Sequence, residues 1–373
     1  MNIAWVTVRR WDDMCTTTTD ALVHGLVNRG HEVTILNADA PGSHEAFPWK
    51  HVALHQSTWP GRKATTLAKN ARAWFDLQTQ DQFDVMLVDW PLAPILGRSL
   101  TNGRHRLVLM DRSPPADAGL LASLQWKGWS KAWSMLKNGV FSSGLVVSKA
   151  HRSYVVQRTG VNIDKVQCIP AGVAVEEFEV AASKTEGPWK FVYHGRLDKH
   201  RGVLALPMLM RNLVNKGFEV HLTLIGDGDV LGVLQKIAAD ESFVSVVSQV
   251  PRKDIPSYLK KQHIGLLPMP PSRVWALASP LKRSEYLAAG LLVYGIDHSG
   301  HRLDGEQFSW FRLSSQEDFH EKAGEWLNEL SNLTTGALKE CSDSARAHAE
   351  RHFSWESSID ILEKVLHSAS LER

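Results

Sequence analysis

Short apolar runs alternate with helical patterns from the start of the chain, and this alternation limits the folds that it can adopt. Residues 3–8 are typical of a buried strand, and a helical pattern covers residues 16–28. Gly30 ends that helix, and a second apolar run follows at residues 32–36. A strand, a helix, a glycine and a strand in this order predict a βαβ unit with two parallel strands. The chain therefore predicts an α/β fold.

The same alternation continues on both sides of a polar segment, EVAASKTEGP, at residues 179–188. Small polar residues together with Gly and Pro are typical of a linker. A chain of 373 residues is also long enough for two domains. We therefore predict an N-terminal domain at residues 1–178 and a C-terminal domain at residues 188–354.

Charge, cysteine content and hydropathy narrow the class of protein. Lys and Arg number 42 against 40 Asp and Glu, so a net charge of +2 does not argue for nucleic-acid binding. Cys15, Cys168 and Cys341 lie far apart and match neither a disulfide framework nor a zinc pattern, which favours a reducing compartment. The apolar start is too short for a signal-peptide core, and no apolar run approaches the ~20 residues of a membrane helix. We expect a cytoplasmic protein.

Residues 191–202, FVYHGRLDKHRG, combine a buried-type strand with a glycine and a group of cations. The strand stops at Gly195, where the backbone can turn sharply or let a ligand approach. A helical pattern begins after Gly202, and the cations between the two glycines are Arg196, Lys199, His200 if protonated, and Arg201. Arginine forks and a helix N-terminus both suit a phosphate group. The alternative is a solvated basic loop.

A second stretch, residues 279–296, places a carboxylate within an apolar helix. Glu285 lies among apolar residues that end at Gly290, and a buried-type strand follows at residues 291–296. A Glu is seldom fully buried without a partner, and a sugar hydroxyl would supply one. The alternative is a Glu on the solvent side of an amphipathic helix.

Together the two stretches resemble the nucleotide-sugar-binding half of glycosyltransferase family 4, a group of retaining enzymes with the GT-B fold. The family pattern G-R-L-x-x-x-K-G corresponds to residues 195–202, with Arg201 where the family usually has Lys. The pattern P-x-K-x-x-E-Y-x-A-x-G-x-P-V corresponds to residues 280–293, with Leu292 in place of Pro. Residues 170–178 and 352–355 also resemble family phrases, so the resemblance extends, at varying strength, from residue 1 to about 368.

The resemblance implies two Rossmann-like domains that face each other across a cleft, with a last helix at residues 355–373 crossing back onto the first domain. It implies transfer of a sugar, with retention, from a nucleotide-diphosphate sugar to a glycan, glycolipid or small-molecule acceptor. The enzyme would be a hexosyltransferase that needs neither a metal nor another cofactor. Donor contacts would come from Gly195, Arg196, Arg201, Lys282 and Glu285, with Glu285 on the ribose. Arg196 and Arg201 would also stabilise charge on the leaving diphosphate.

The family commonly has a His after the N-terminal strand that faces the donor sugar, and this chain has Asp111 there. The strand is residues 106–110, and His105 precedes it. We expect Asp111 to be catalytic, because a carboxylate can accept a sugar hydrogen bond or an acceptor proton. The alternative is an Asp that caps the helix after Pro114 and Pro115.

Other departures from the family pattern keep a second function open. Leu277 stands where the family often has another Glu, and the first loop lacks the usual pair of glycines. Both favour a non-catalytic GT-B subunit that binds a nucleotide sugar or a partner enzyme. A GT-B epimerase would need carboxylates and histidines in the cleft, and no matching set stands out.

Two further motifs each have two interpretations. Asp227-Gly228-Asp229 is similar to the D-x-D motif of metal-dependent transferases, but in family 4 this position is a turn. Trp126, Trp129 and Trp133 share one helix face beside lysines. That face, together with a Trp-Pro-Gly turn at residues 59–63, suggests peripheral membrane contact. The alternative for the tryptophan face is packing on the N-terminal sheet.

Overall fold

A computed structural model of the chain describes most of its residues, and these form two compact units. Unit 1 combines residues 1–171 with the C-terminal helix that begins at Trp355, and unit 2 is Gly172–Ser354. Cys15 and His105 lie outside the described residues. The described residues are 1–11, 16–59, 61–78, 82–100 (without the side chains of 98 and 99), 106–115, 122–181, 184, 186–305 and 307–371.

Unit 1 is built on a seven-stranded sheet with the order β3-β2-β1-β4-β5-β6-β7. Each described pair of neighbouring strands is parallel. Strands β4 and β5 are buried at every position, as expected for a parallel sheet with helices on both faces. The strands are β1 (Asn2–Val6), β2 (Glu32–Asn37), β3 (Lys50–Ala53), β4 (Val85–Asp89), β5 (Leu107–Asp111), β6 (Ser143–Val146) and β7 (Val166–Cys168).

Helices cover both faces of this sheet and bury its apolar side chains in two clusters. The C-terminal helix completes one cluster, because Ile359, Leu362 and Leu366 pack among residues of the first strands and of the first helix. The helices of unit 1 are α1 (Thr17–Asn28), α2 (Lys63–Phe75), α3 (Ala93–Leu100), α4 (Ala122–Lys137), α5 (Lys149–Thr159) and α13 (Trp355–Leu371).

Unit 2 repeats the architecture around a six-stranded parallel sheet with the order β10-β9-β8-β11-β12-β13. Its strands are β8 (Trp189–His194), β9 (Val220–Ile225), β10 (Val244–Val247), β11 (Ile264–Leu267), β12 (Leu292–Ile296) and β13 (Phe311–Ser314). Its helices are α6 (Ala205–Asn215), α7 (Leu231–Asp240), α8 (Ile255–Leu259), α9 (Arg273–Leu277), α10 (Leu281–Ala288), α11 (Phe319–Ser331) and α12 (Thr335–His352). The prediction of an α/β protein with two Rossmann-like sheets is confirmed.

Unit 2 begins earlier than the predicted linker. The backbone N–H of Val173 donates to the carbonyl of Phe353 at 2.7 Å, and Val175 and Phe178 are buried in the core of unit 2. Residues 172–178 therefore pack with the second sheet although they precede the polar segment. Among the described residues, no helix combines the length and the apolar character that crossing a bilayer requires.

In unit 1 the strand order reverses between β1 and β4, which are neighbours in the sheet although the chain first travels outward from β1 to β2 and β3. In open α/β sheets, ligands bind at such a switch point, beyond the carboxyl ends of the strands. In unit 2 the corresponding neighbours are β8 and β11. The residues that directly follow these strands are therefore candidates for a ligand-binding site.

Candidate functional site

The predicted anion loop of unit 2 follows β8 directly and depends on glycines for its shape. Gly195 has φ +113° and Gly202 has φ +74°, and both values are rare for residues with a side chain. A Cβ at Gly202 would lie 2.3 Å from the carbonyl oxygen of Pro268, and one at Gly226 would lie 1.9 Å from that of Gly195. The ends of β8, β9 and β11 are thus packed backbone to backbone around this loop.

Both predicted phosphate-binding arginines share one carboxylate. Asp198 lies 3.0 Å from Arg196 Nη2 and 3.6 Å from Arg201 Nε, and the carboxylate is almost buried. Burial opposes ionisation of Asp198. Hydrogen bonds from Arg196 and from the Asp229 amide, with the charges of Arg196 and Arg201, outweigh that effect and lower the pKa of the carboxyl. Asp198, which the sequence patterns did not single out, therefore stays ionised and holds the two cations together.

Lys282, at the start of α10, adds a third cation to the same loop. A Cβ built on Gly195 would lie 3.6 Å from Lys282 Nζ, so the amine is close to the turn after β8. Burial and, after it, the charge of Arg201 lower the pKa of Lys282 to about 8, while the charge of Glu285 opposes the shift. The structure thus brings together Gly195, Arg196, Arg201 and Lys282, as predicted from two distant motifs.

Glu285 is buried in this structure, so it does not lie on a solvent-facing side of α10. Its carboxylate lies 3.2 Å from His194 Nε2 and 3.3 Å from Arg252 Nη2. Burial lowers the pKa of His194 to about 4, despite the charge of Glu285, so the imidazole is neutral near pH 7. Glu285 therefore already has protein partners, and neither His194 nor Arg252 was identified from the sequence.

An aromatic side chain supports Arg201. The guanidinium of Arg201 lies 4.7 Å from the ring centre of Trp275, and the ring of His200 stacks on the same indole at 6.0 Å. Trp275 lies on α9, a five-residue helix between β11 and α10. A guanidinium stacks on an aromatic face better than a lysine ammonium does, which gives a physical reason for Arg201 at the family's Lys position.

The Asp227-Gly228-Asp229 segment forms a turn whose carboxylates accept backbone hydrogen bonds. Asp229 Oδ1 accepts from the N–H of Lys199 at 2.8 Å, and Asp227 Oδ1 accepts from the N–H of Gly228 at 2.8 Å. These bonds are those of a structural turn that packs against the loop after β8. This geometry agrees with the interpretation of the motif as a turn.

Asp111 in unit 1 is completely buried and does not reach a surface. Its Oδ2 accepts hydrogen bonds from the indoles of Trp129 at 2.6 Å and Trp133 at 2.9 Å. His151 Nε2 lies 3.3 Å from the same oxygen. The prediction that Asp111 contacts a substrate has no support in this geometry, because the side chain turns into the core beneath α4. The helix-cap alternative is not observed either, since α4 begins at Ala122.

The tryptophan face of α4 packs inside unit 1. Trp129 and Trp133 are fully buried, and Trp126 packs against Trp129 and Tyr154. The suggestion that this face contacts a membrane is therefore wrong, because the indoles cover the sheet and bind the carboxylate of Asp111. Trp59, in the turn before α2, remains 73% exposed.

Unit 1 contains a cavity of about 490 Å³ at the carboxyl ends of β1, β4 and β5. Asp89, the last residue of β4, lies on its wall. Asp89 Oδ2 accepts from Thr7 Oγ1 at 2.7 Å and from the N–H of Val8 at 3.2 Å, and Oδ1 accepts from Trp5 Nε1 at 3.3 Å. The lining residues are Val8, Arg9, Gly61, Lys63, Ala64, Asp89, Trp90, Pro91, Met110, Arg112, Ser113, Pro114, Pro115, Leu124, Gln125 and Gly128.

This cavity was not predicted from the sequence as a site. Burial raises the pKa of Asp89, against the hydrogen bond of Thr7 and the charge of Arg9. A polar residue at the end of a buried strand beside a switch point was the available signal. The cavity wall comes from five separate stretches of sequence and could not be assembled without the fold.

Two family models match the chain, one to each unit. Residues 16–177 match "Glycosyltransferase Family 4", and residues 188–329 match "Glycosyl transferases group 1". No curated protein sequence matches the chain significantly.

Solved structures that resemble the chain cover almost its whole length at low identity. A glycosyltransferase from Rickettsia africae aligns with a TM-score of 0.75 and 13% identity, over 100% of this chain and 99% of that one. HepE from Anabaena, solved in complex with UDP, aligns with a TM-score of 0.74 and 14% identity, over 99% and 100%. Sucrose-phosphate synthase from Thermosynechococcus elongatus aligns with a TM-score of 0.75 and 14% identity, over 98% of both chains. The structures support the GT-B fold, and together with the two family matches they show that the chain belongs to the GT-B glycosyltransferases, with family 4 as the family that fits.

Proposed function

We propose that this glycosyltransferase holds the diphosphate of its nucleotide-sugar donor on the loop after β8. The observation that carries the proposal is the meeting of Arg196, Arg201 and Lys282 around Gly195. Asp198 holds the two arginines together, so three cations lie beside a backbone that a ligand can approach. HepE was solved with UDP, which is a ligand of the same chemical class.

In the reaction, the bond between the sugar C1 and the diphosphate oxygen breaks, and C1 bonds to an acceptor oxygen. The diphosphate leaves with the electron pair of the broken bond, and its oxygen takes the proton that the acceptor hydroxyl releases. Cations fixed beside the leaving group stabilise the charge that develops on it. Arg196, Arg201 and Lys282 would perform this task without a metal ion.

We propose further that the transferred group is a hexose and that its anomeric configuration is retained. Glu285 would accept hydrogen bonds from the donor ribose. Arg252 pairs with this carboxylate and His194 lies beside it at the end of β8, so the ribose would lie next to the bound diphosphate. The acceptor would be a glycan, a glycolipid or a small molecule bound by unit 1.

Removing one cation tests the donor site. A charge-assisted hydrogen bond contributes about 1.5–3 kcal/mol, so Arg196→Ala should weaken UDP binding at least about tenfold in calorimetric titrations. Arg211→Ala is the matched control, because Arg211 is an exposed arginine of α6 that pairs with Glu241, and its affinity should match that of the wild type. Equal affinities for Arg196→Ala and the wild type would remove the donor site from this loop.

A non-catalytic GT-B subunit is the second candidate, and the burial of Asp111 favours it. Burial of Asp111 leaves unit 1 without its proposed catalytic side chain. In unit 2, Leu277 stands where the family often has a Glu. Product analysis with UDP-, GDP- and ADP-sugars would separate the two candidates. Binding of a nucleotide sugar without turnover, by hydrolysis or by transfer to any acceptor offered, would favour the subunit.

The turn before α2 is the remaining feature that supports peripheral contact with a membrane surface. Trp59 is exposed beside the cations Arg62 and Lys63, and the tryptophans of α4 no longer contribute. Sedimentation with anionic liposomes at low salt should carry the wild type into the pellet and leave Trp59→Ala in the supernatant. Wild-type protein that stays entirely in the supernatant would exclude the contact.

A further inference from the structure

The cavity of unit 1 has the features of a small-molecule site of defined charge. Its volume of about 490 Å³ lies within the range of roughly 300–1,000 Å³ that is usual for ligand cavities. It lies beyond the ends of β1 and β4, where the strand order reverses, which is where open α/β sheets bind ligands. Trp90, Pro91, Met110 and Leu124 supply apolar wall.

Three cations and one carboxylate line this wall. The cations are Arg9 after β1, Lys63 at the start of α2 and Arg112 after β5. Arg112 Nη1 donates to Thr19 Oγ1 at 2.6 Å. No carboxylate among the described residues forms an ion pair with Arg9 or Lys63. The carboxylate is Asp89, so the lining carries an excess of positive charge that a bound anion would neutralise.

Asp89 can also fix a hydroxyl group. A carboxylate offers about four acceptor positions, and Trp5, Thr7 and Val8 occupy three of them. These three donors hold the carboxylate at the end of β4. One acceptor position is left for a ligand, and a hydroxyl would use it without adding a second negative charge.

From this charge distribution we infer that the cavity of unit 1 binds an acidic acceptor, a hydroxyl compound that carries a phosphate or carboxylate group. The anionic group contacts Arg9, Lys63 and Arg112, and a hydroxyl donates to Asp89. This inference extends the proposed function. The role of the bound acid as an acceptor depends on that function, whereas binding of the acid depends only on the residues of unit 1.

Glucose 6-phosphate and glucose form a matched pair of probes, because they differ only in the anionic group. Binding is measured on the full chain carrying Arg196→Ala and Arg201→Ala, so that the phosphate cannot use the donor loop. Glucose 6-phosphate should bind at least tenfold more tightly than glucose. Adding Arg9→Gln and Lys63→Gln should abolish that preference, whereas the charge-matched pair Lys69→Gln and Lys131→Gln should preserve it. Lys69 and Lys131 are exposed lysines of α2 and α4 outside the lining.

Monomeric dihexanoylphosphatidylglycerol separates a lipid-borne phosphate from a free one. Tighter binding of the lipid than of glucose 6-phosphate, with loss in the Arg9→Gln, Lys63→Gln background, assigns the anion to a lipid headgroup, and the reverse order assigns it to a soluble compound. Equal binding of glucose and both phosphates, or a preference that survives Arg9→Gln with Lys63→Gln, overturns the inference. UDP titration of the otherwise unchanged protein tests the donor loop separately, so failure of the donor site would not be confused with failure of this cavity.

Discussion

At the scale of single residues, we expect Lys282 to determine how donor binding by the loop after β8 depends on pH. Arg196 and Arg201 both pair with the carboxylate of Asp198. The pKa of Lys282 is lowered to about 8, first by burial and then by Arg201. A bound diphosphate favours the protonated amine, so the charge of this residue couples donor affinity to pH.

We therefore expect UDP affinity to fall as the pH rises through about 8. Phosphate groups complete their ionisation near pH 6, so the charge of the diphosphate of UDP is constant above about pH 7. Above pH 8 the amine is neutral in the free protein and must take up a proton on binding, which weakens affinity by up to about tenfold per pH unit. Calorimetry at about pH 7, 8 and 9 measures the change. Lys282→Arg keeps its charge and should lose the inflection, and an unchanged profile in this variant would exclude Lys282 as its source.

Asp111 illustrates how burial changes the role of a residue. Two indoles donate to one of its oxygens, and His151 lies beside the same atom. A buried polar group that loses a partner costs about 1–3 kcal/mol. The network therefore fixes α4 on the sheet and positions the helix residues that reach the cavity of unit 1.

Asp111→Asn should lower the free energy of unfolding by about 1–3 kcal/mol, because an amide places a donor where the carboxylate accepts. The transfer rate of the folded variant should stay within a few-fold of the wild type. Urea unfolding and a rate per folded molecule measure the two effects, and Asp164→Asn, at an exposed position, is the control. A hundredfold loss of rate at unchanged stability would restore the catalytic interpretation of Asp111.

At the scale of secondary structure, α9 and α10 shape the donor side of unit 2. Helix α10 presents Lys282 and Glu285 towards the turn after β8, and its Arg283 is buried beneath the following loop. Arg283 Nη1 donates to the carbonyls of residues 300–302 at 2.9–3.2 Å. Helix α9 brings Trp275 under Arg201. The cations are thus oriented by elements that come later in the chain.

Trp275→Leu should weaken UDP binding by about 2–30-fold, because a cation–π contact is worth about 0.5–2 kcal/mol. Leucine keeps an apolar side chain on α9 but removes the aromatic face. The same substitution in an Arg201→Ala background should have little further effect, since the partner is gone. Additive losses in the double variant would show that Trp275 does not act through Arg201.

At the scale of the whole molecule, residues from both ends of the chain contact each other in unit 1. Arg29, which follows α1, lies 2.7 Å from the carboxylates of Glu356, Asp360 and Glu363 on α13. His31 Nε2 lies 2.7 Å from Glu363 as well. The hydrogen bonds of His31 and Arg29 lower the pKa of Glu363. The apolar face of α13 supplies most of the attachment, and this charged group sets the position of the helix.

Glu363→Gln should reduce the free energy of unfolding by about 1 kcal/mol near pH 7, at the upper end of values for partly exposed pairs. A carboxyl whose pKa is lowered in the folded state contributes stability above its unfolded pKa and loses it as the pH falls through the folded pKa. The difference between variant and wild type should therefore shrink once the pH falls below about 4, where ordinary glutamates titrate, so it is compared at pH 7 and at the lowest pH at which both proteins stay folded. Urea unfolding at both pH values measures it, and Glu356→Gln, at a 77% exposed side chain, should change stability by less than about 0.5 kcal/mol. A deficit that persists at low pH would contradict an ionic origin.

Sequence patterns alone predict the α/β class and most of the strands. Apolar periodicity reflects burial along one element, and β4, β5 and β8 were readable because almost all their positions are buried. The glycines of residues 195–202 were readable because a backbone turn with positive φ restricts the residue type. Strands β3 and β13 were missed because they lie at sheet edges, are mostly half-buried and lack a strong apolar run.

Which polar side chains contact each other depends on the tertiary structure. Asp111 is buried under tryptophans about twenty residues further along the chain. Asp198 is shared by two arginines, and Glu285 meets Arg252 from another element. The cavity around Asp89 is assembled from five stretches that together span residues 8–128. Local sequence patterns report how deeply an element is buried, but the partner of a buried charge is set by the packing of distant elements. The role of these charges therefore follows only from the fold.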